Sequence, residues 1–169
     1  ISGWNVSNVT IFGTMAGMFA GATSFNQPIG SWDVSSATSM SSMFSGATSF
    51  NQPLSNWNVG NVIGMEQMFA DATSFNQPIG GWDVSSVQWF DNMFNGATNF
   101  DQNLSAWNVS NATSMYAMFD DVTLSTANYD ALLIGWSQLP LQSNVLFSGG
   151  NSVYCVAAPQ RQQIIDNFN

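Results

Sequence analysis

The chain has 169 residues, of which 45% are hydrophobic, 14% are aromatic and only 7% are charged, and Arg161 is its single cation. The formal charge is −9, which argues against nucleic acid and anionic membranes as partners because both are bound by clustered Lys and Arg. The aromatic content is too high for a disordered chain, and no apolar run approaches the roughly 20 residues of a membrane span, so we expect a folded domain without direct membrane insertion.

The sequence repeats with a period of 25 residues. Trp32, Trp57, Trp82 and Trp107 recur at this interval, whereas Trp4 precedes Trp32 by 28 residues. The first four units share W-[ND]-V, then M-F-x-[GD]-A-T, then F-[ND]-Q. A period of 20 to 29 residues is typical of leucine-rich-repeat coils. Stacked coils of this kind bury a common core that no single coil buries alone.

The pattern within each unit predicts two elements. Residues 29–34 have the L-x-x-L-x-L spacing of a short strand, in which Trp32 and Val34 point inward and Asp33 points outward. Apolar residues then recur every three to four positions from Met40 to Ala47, which predicts a short helical segment. We therefore expect an α/β solenoid over residues 1–123, a leucine-rich-repeat-like stack of about five coils, each with a short parallel strand and a short helix.

The repetition stops after residue 123, and residues 124–169 read as a C-terminal capping region. Helical patterns cover residues 129–136 and 160–168, and a strand is expected at residues 144–147. Such an α/β cap would cover the exposed sheet edge at the end of the stack. The chain begins partway through a unit, so we interpret it as a single structural domain excised from a larger protein.

The repeat resembles a known family. FNQPIGSWDVSSATSMSSMF and its copies are similar to the 25-residue repeat of BspA-like leucine-rich-repeat bacterial surface proteins, which also occurs in mycoplasma surface lipoproteins. The tail that starts NYDALLIGW is similar to the region that follows these repeats. Members are surface-exposed or secreted, and many are thought to be adhesins. The resemblance therefore implies an extracellular location at the bacterial cell surface and a protein or glycan ligand on another cell.

Repeated residues form columns in such a stack, and most columns are expected to be structural. The Trp, Met and Phe columns fill the core, and the column from Asn26 to Asp101 supplies hydrogen bonds between coils. The column between Trp and Val faces outward, and it is flanked by small polar residues. We predict binding through this concave strand face, with Trp89 as an exposed aromatic anchor where other units have a small residue. The candidate binding residues are Asn5, Asp33, Asn58, Asp83, Asn108, Ser35, Ser85 and Trp89.

Several alternatives stay open. Asp33 and Asp83, with neighbouring Asn oxygens, are candidate ligands for Ca²⁺, which takes six to eight oxygens. Homodimerisation through the same face or through the uncapped first coil, with or without a requirement for calcium, is a second function. Ice binding is a third, because the chain has a single file of threonines at Thr23, Thr48, Thr73 and Thr98. Catalysis is not expected, because the chain has no His or Lys and Cys155 has no base to activate it. No cofactor is required by any of these functions.

Overall fold

The computed structural model describes Val6 and residues 14–168. Two helices are present in this part of the chain, α1 at Thr126–Ser137 and α2 at Ala158–Phe168. Residues 14–125 contain neither a helix nor a strand and consist of turns, isolated bridges and irregular segments. The expected α/β solenoid of strand–helix coils is therefore wrong, although the 25-residue units do stack on one another.

Backbone hydrogen bonds join each coil to the next at a constant offset. Alternate N–H groups of one coil donate to carbonyl groups of the following coil over 2.7–2.9 Å. The donor and acceptor residues in two neighbouring coils are Met40 and Gly64, Ser42 and Glu66, Phe44 and Met68, and Gly46 and Ala70. The same pairing recurs one coil further along the chain. These bonds satisfy buried backbone groups and keep equivalent residues in register.

The predicted helix does not form because its backbone N–H groups alternate between hydrogen bonds within the coil and hydrogen bonds to the next coil. The N–H groups of Met43, Ser45 and Ala47 donate to carbonyls three residues earlier over 2.9–3.1 Å, which closes single turns. The alternating N–H groups of Ser42, Phe44 and Gly46 bond to the next coil instead. Ser42 and Gly46 have φ angles of 57° and 69°, and left-handed residues interrupt a right-handed helix. The three-to-four-residue spacing thus reflects alternating turns with a buried side.

The predicted strand is also absent. Parallel pairing occurs only as isolated bridges in the described residues. Within the stack, the bridged positions are Thr14, Ser39, Gly64, Trp89 and Ser114, several residues after the predicted Trp-x-Val strand. The side chains near Trp32 still alternate, with Trp32 and Val34 buried and Asp33 exposed. Because no sheet contains these residues, the predicted concave strand face is wrong as well.

Aromatic rings stack along the core. Phe44 and Phe50 lie nearly parallel with centroids 4.0 Å apart, and Phe44 stacks on Phe69 of the next coil at 5.5 Å. Stacked pairs of this kind contribute about 0.5–1.5 kcal/mol beyond their buried area. The Met side chains at positions 40, 65, 93 and 118 are fully buried beside them. The predicted burial of the Met and Phe columns is confirmed for the described coils from Met40 onward.

The Trp column forms hydrogen bonds between each coil and the preceding one. The indole N–H of Trp57 donates to the Ile29 carbonyl over 3.1 Å, and that of Trp82 donates to the Leu54 carbonyl over 3.0 Å. The four described members of the column, Trp32, Trp57, Trp82 and Trp107, are all buried, as predicted, while Trp4 lies outside the described residues. The capping region continues the pattern, because Trp136 of α1 donates to the Leu104 carbonyl over 3.1 Å.

The predicted Asn column also bonds between coils. The Asn51 N–H donates to Asn26 Oδ1, and the Asn76 N–H donates to Asn51 Oδ1, each over 3.0 Å. At the last coil, Asp101 Oδ1 instead accepts hydrogen bonds from Ser125 and Asn128 in the capping region over 2.8 Å. The structural interpretation of this column is confirmed, and the cap occupies the place of a further coil.

The capping region contains both predicted helices, but residues 144–147 form no strand. Phe147 makes one parallel bridge to Met115. The segment that leads into α2 is held by α1, because the Asp130 carboxylate accepts hydrogen bonds from the N–H groups of residues 155, 156 and 157 over 3.0–3.2 Å. Burial raises the pKa of Asp130, but these backbone bonds outweigh that effect and lower it.

Candidate binding faces

The first candidate face is the row Asp33, Asn58, Asp83 and Asn108, here called the Asx row. All four side chains are exposed, so their outward direction was predicted correctly, while Asn5 lies outside the described residues. Each side-chain oxygen accepts a hydrogen bond from the N–H two residues later over 3.1–3.2 Å. This is the Asx-turn geometry that Asp and Asn favour at turns. The row therefore braces the turn that follows each Trp-x-Val segment.

The two carboxylates of the Asx row are held in place by serine. The Ser35 hydroxyl donates to Asp33 Oδ1 over 2.7 Å, and the Ser85 hydroxyl donates to Asp83 Oδ1 over 2.6 Å. These hydroxyl bonds, followed by the Ser N–H bonds, lower the pKa of both aspartates. The row is thus negatively charged and ordered. Within the described residues, no group of three or more His, Cys, Asp or Glu side chains converges, and Ca²⁺ binding remains a prediction.

The second candidate face surrounds Trp89. This residue occupies the bridged position that holds Ser39, Gly64 and Ser114 in the neighbouring coils. Its side chain is 43% exposed. Among the described residues, no group accepts a hydrogen bond from its indole and no aromatic ring stacks on it, unlike the buried Trp column. Trp89 therefore contributes little to the stack, and its ring is accessible to a partner.

Two carboxylates and a second aromatic residue stand two residues after the bridged position, in the coil of Trp89 and in its two neighbours. A Cβ on Gly64 would stand 2.6 Å from Glu66 Oε2, so the Glu66 carboxylate covers the bridge partner of Trp89. Asp91 Oδ1 accepts hydrogen bonds from the Ser114 hydroxyl and from the Tyr116 N–H. Tyr116 is 59% exposed. We call Glu66, Trp89, Asp91, Ser114 and Tyr116, with Gly64 beneath them, the Trp89 face.

Sequence reasoning identified Trp89 but missed the rest of this face. Glu66, Asp91 and Tyr116 occupy the same position in three successive units, two residues after the bridged position, where the preceding unit has Ser41. The side chain at this position changes from a hydroxyl to a carboxylate and then to an aromatic ring along the stack. That variation was the sequence signal that could have identified the face. It differs from the structural columns, in which neighbouring units keep the same residue or a close substitute.

The two faces are distinct. The turn at residues 85–86 separates Asp83 from Trp89 within one coil, so the structure does not combine Trp89 with the Asx row into one continuous strand surface. The threonine file has a structural use, because the Thr48 and Thr73 hydroxyls donate to the Thr23 and Thr48 carbonyls over 3.3 and 3.4 Å. Ice binding remains an untested prediction.

The fold and its outward columns define a repeat protein built from stacked 25-residue coils. The chain belongs to the family described as Mycoplasma protein of unknown function, DUF285, whose pattern matches residues 14–132. No curated protein and no solved structure gave a significant match. In the part of the chain that the structure describes, no helix has both the length and the apolar composition needed to cross a bilayer.

Proposed function

We propose that this domain is a non-catalytic binding module of a bacterial surface adhesin, and that it attaches to a ligand on another cell through the Trp89 face. The observation that carries the proposal is the exposed, unpartnered ring of Trp89 at a position where adjacent coils have Ser or Gly. Trp and Tyr are enriched among the residues that dominate binding energy at interfaces. An exposed Trp with no structural partner is therefore suited to recognition.

The resemblance to BspA-like surface proteins supports the same proposal. The matched mycoplasma-type family is compatible with that narrower assignment and with a location at the cell surface. The Asx row is a secondary candidate surface, since Asp33, Asn58, Asp83 and Asn108 are exposed but each already braces a turn. Self-association is the competing function, and no contact in the described residues favours it over attachment.

Substitution of Trp89 by Ser tests the proposal. Ser is the residue at the equivalent position in the adjacent coil at Ser114, so Trp89→Ser should leave the fold intact. We expect attachment of the purified domain to target cells to fall at least tenfold, as for removal of an interface residue that dominates binding. Ile134→Ser is the matched control, because Ile134 is also 43% exposed but lies on α1.

Three outcomes would show whether the Trp89 face binds the ligand, whether the Asx row does, or whether the domain self-associates. Attachment that survives Trp89→Ser would exclude the Trp89 face. Loss of attachment only in the Asp33→Ala, Asn58→Ala and Asp83→Ala triple variant would assign binding to the Asx row. Sedimentation of the parent domain at micromolar concentration, with calcium and with chelator, measures self-association directly, and a concentration-dependent dimer abolished by Trp89→Ser would assign the face to homodimerisation.

A further inference from the structure

The Trp89 face combines aromatic rings with uncompensated negative charge. Trp89 and Tyr116 are 43% and 59% exposed, and Glu66 and Asp91 occupy the position equivalent to Tyr116 in the two preceding coils. Each carboxylate has one oxygen bonded to neutral donors, Glu66 Oε2 to the Ser41 hydroxyl over 2.6 Å and Asp91 Oδ1 to Ser114 and Tyr116. In the described residues, neither Glu66 Oε1 nor Asp91 Oδ2 has a hydrogen-bond donor.

No cation of this chain neutralises the face. The only cation in the sequence is Arg161, which belongs to α2 and lies 5.5 Å from the centroid of the Tyr154 ring. The chain as a whole carries a formal charge of −9. Glu66 and Asp91 occupy equivalent positions in adjacent coils, and their hydrogen bonds direct the Glu66 carboxylate toward Ser41 of the preceding coil and the Asp91 carboxylate toward Ser114 of the following coil. A cationic partner would neutralise these two charges.

We propose that the partner is a protein segment rich in Arg or Lys, which docks its cations on the Trp89 face; this inference rests on the proposed function. A cation over a Trp or Tyr ring within about 6 Å is attracted by the ring quadrupole, and Arg also pairs with carboxylates through two N–H groups. Both kinds of acceptor are present on this face. Charge complementarity therefore favours a basic segment over an acidic peptide or a neutral glycan.

The spacing of the face fits an extended segment. Trp89 and Tyr116 lie on adjacent coils and are offset by two residues, which places their Cα atoms roughly 8 Å apart. Alternate side chains of an extended peptide point the same way and lie about 6.6 Å apart. Two basic residues at positions i and i+2 can therefore contact the two aromatic rings, with Asp91 between them.

The experiment uses a fluorescein-labelled nonapeptide with Arg at alternate positions and its all-Gln counterpart, titrated with the parent domain. We expect the Arg peptide to bind at least tenfold more tightly than the Gln peptide and to weaken as NaCl rises, since salt screens exposed charges. The double variant Glu66→Gln and Asp91→Asn keeps the side-chain acceptors for Ser41, Ser114 and Tyr116 but removes both charges. Its affinity for the Arg peptide should fall roughly tenfold.

Asp33→Asn is the matched control, because it removes one charge from the Asx row and creates the residue already present at Asn58. It should leave affinity for the Arg peptide unchanged. Equal loss in Asp33→Asn and in the double variant would overturn the inference, because net charge alone would then explain binding. Tight binding of the Gln peptide, or no effect of salt, would overturn it too.

The proposed function and this inference can fail separately. If Trp89→Ser abolishes attachment to cells while the Glu66→Gln and Asp91→Asn double variant attaches normally in low and high salt, the face binds a ligand that is not basic, such as a glycan. The inference then fails and the proposed function stands. If Trp89→Ser attaches normally, the proposed function fails at this face regardless of the peptide result.

Discussion

Replacement of Trp82 by Phe separates the two roles that tryptophan has in this chain. Trp82 is 4% exposed and donates its indole N–H to the Leu54 carbonyl over 3.0 Å. The Leu54 carbonyl keeps a second hydrogen bond from the Trp57 N–H at 3.0 Å, so loss of the indole bond costs only about 1 kcal/mol. The smaller ring leaves part of the indole volume unfilled, which costs roughly 1–2 kcal/mol.

We therefore expect Trp82→Phe to lower the free energy of unfolding by about 2–3 kcal/mol. For a chain of this length that corresponds to a fall in Tm of about 5–10 °C, measurable by circular dichroism during heating and by urea titration. The same substitution at Trp89 is the control, and it should change stability by less than about 0.5 kcal/mol. Equal losses for the two variants would refute the division of the tryptophans into a buried, bonded column and a free surface ring.

Two other substitutions test the turns and the cap. Gly46 has a φ of 69°, so Gly46→Ala should cost about 1–2 kcal/mol in urea titration, whereas Gly81→Ala, where a Cβ meets nothing within 4 Å, should be neutral; equal costs would contradict the left-handed turn. The lowered pKa of Asp130 means that its stabilising effect is complete above about pH 4 and is lost as the pH falls through the folded-state pKa. Asp130→Asn should loosen α2 at neutral pH, detected by limited proteolysis, and should remove that acid-dependent step; an unchanged acid titration would contradict this role.

The buried columns could be predicted because the same buried residue type recurs at the same position in several units. Trp32, Trp57, Trp82 and Trp107 occur in nearly identical surroundings, so one physical argument about alternation applies to all four. The same holds for the Asn column, in which a side-chain amide bonds to the equivalent residue of the next coil. Periodicity therefore revealed which residues stack and which face inward, independently of the backbone conformation.

The backbone conformation could not be predicted from the same pattern. An apolar residue at every third or fourth position fits an α-helix, but it equally fits alternating turns with one buried side. The left-handed residues that distinguish the two include Ser42, Gln67 and Asn92, and none of these is a glycine that would indicate positive φ. What selects the turns is the set of hydrogen bonds to the next coil, and these depend on the stacked partner.

Outside the repeat, prediction depended on local signals. The two helices of the cap were identified from their own apolar spacing, but the role of Asp130 was missed. Asp130 lies outside the repeat, so no equivalent residue in another unit indicates its role. Its hydrogen bonds reach residues 155–157, which lie near it only after α2 docks against α1. A long-range bond of this kind leaves no periodic trace in the sequence.

The stacking itself explains why recognition should reside in outward positions that vary. A buried column residue contacts equivalents on both sides, so a change at Phe69 would disturb the rings of Phe44 and Phe94 at 5.5 and 5.7 Å. An outward residue such as Trp89 has no such constraint, since its bridge to Gly64 and Ser114 is made by backbone. Substitutions at such positions alter the surface without disturbing the stacking of the coils. The acid and aromatic residues of the Trp89 face stand at such positions, which is where a coil stack can acquire a ligand at the lowest cost in stability.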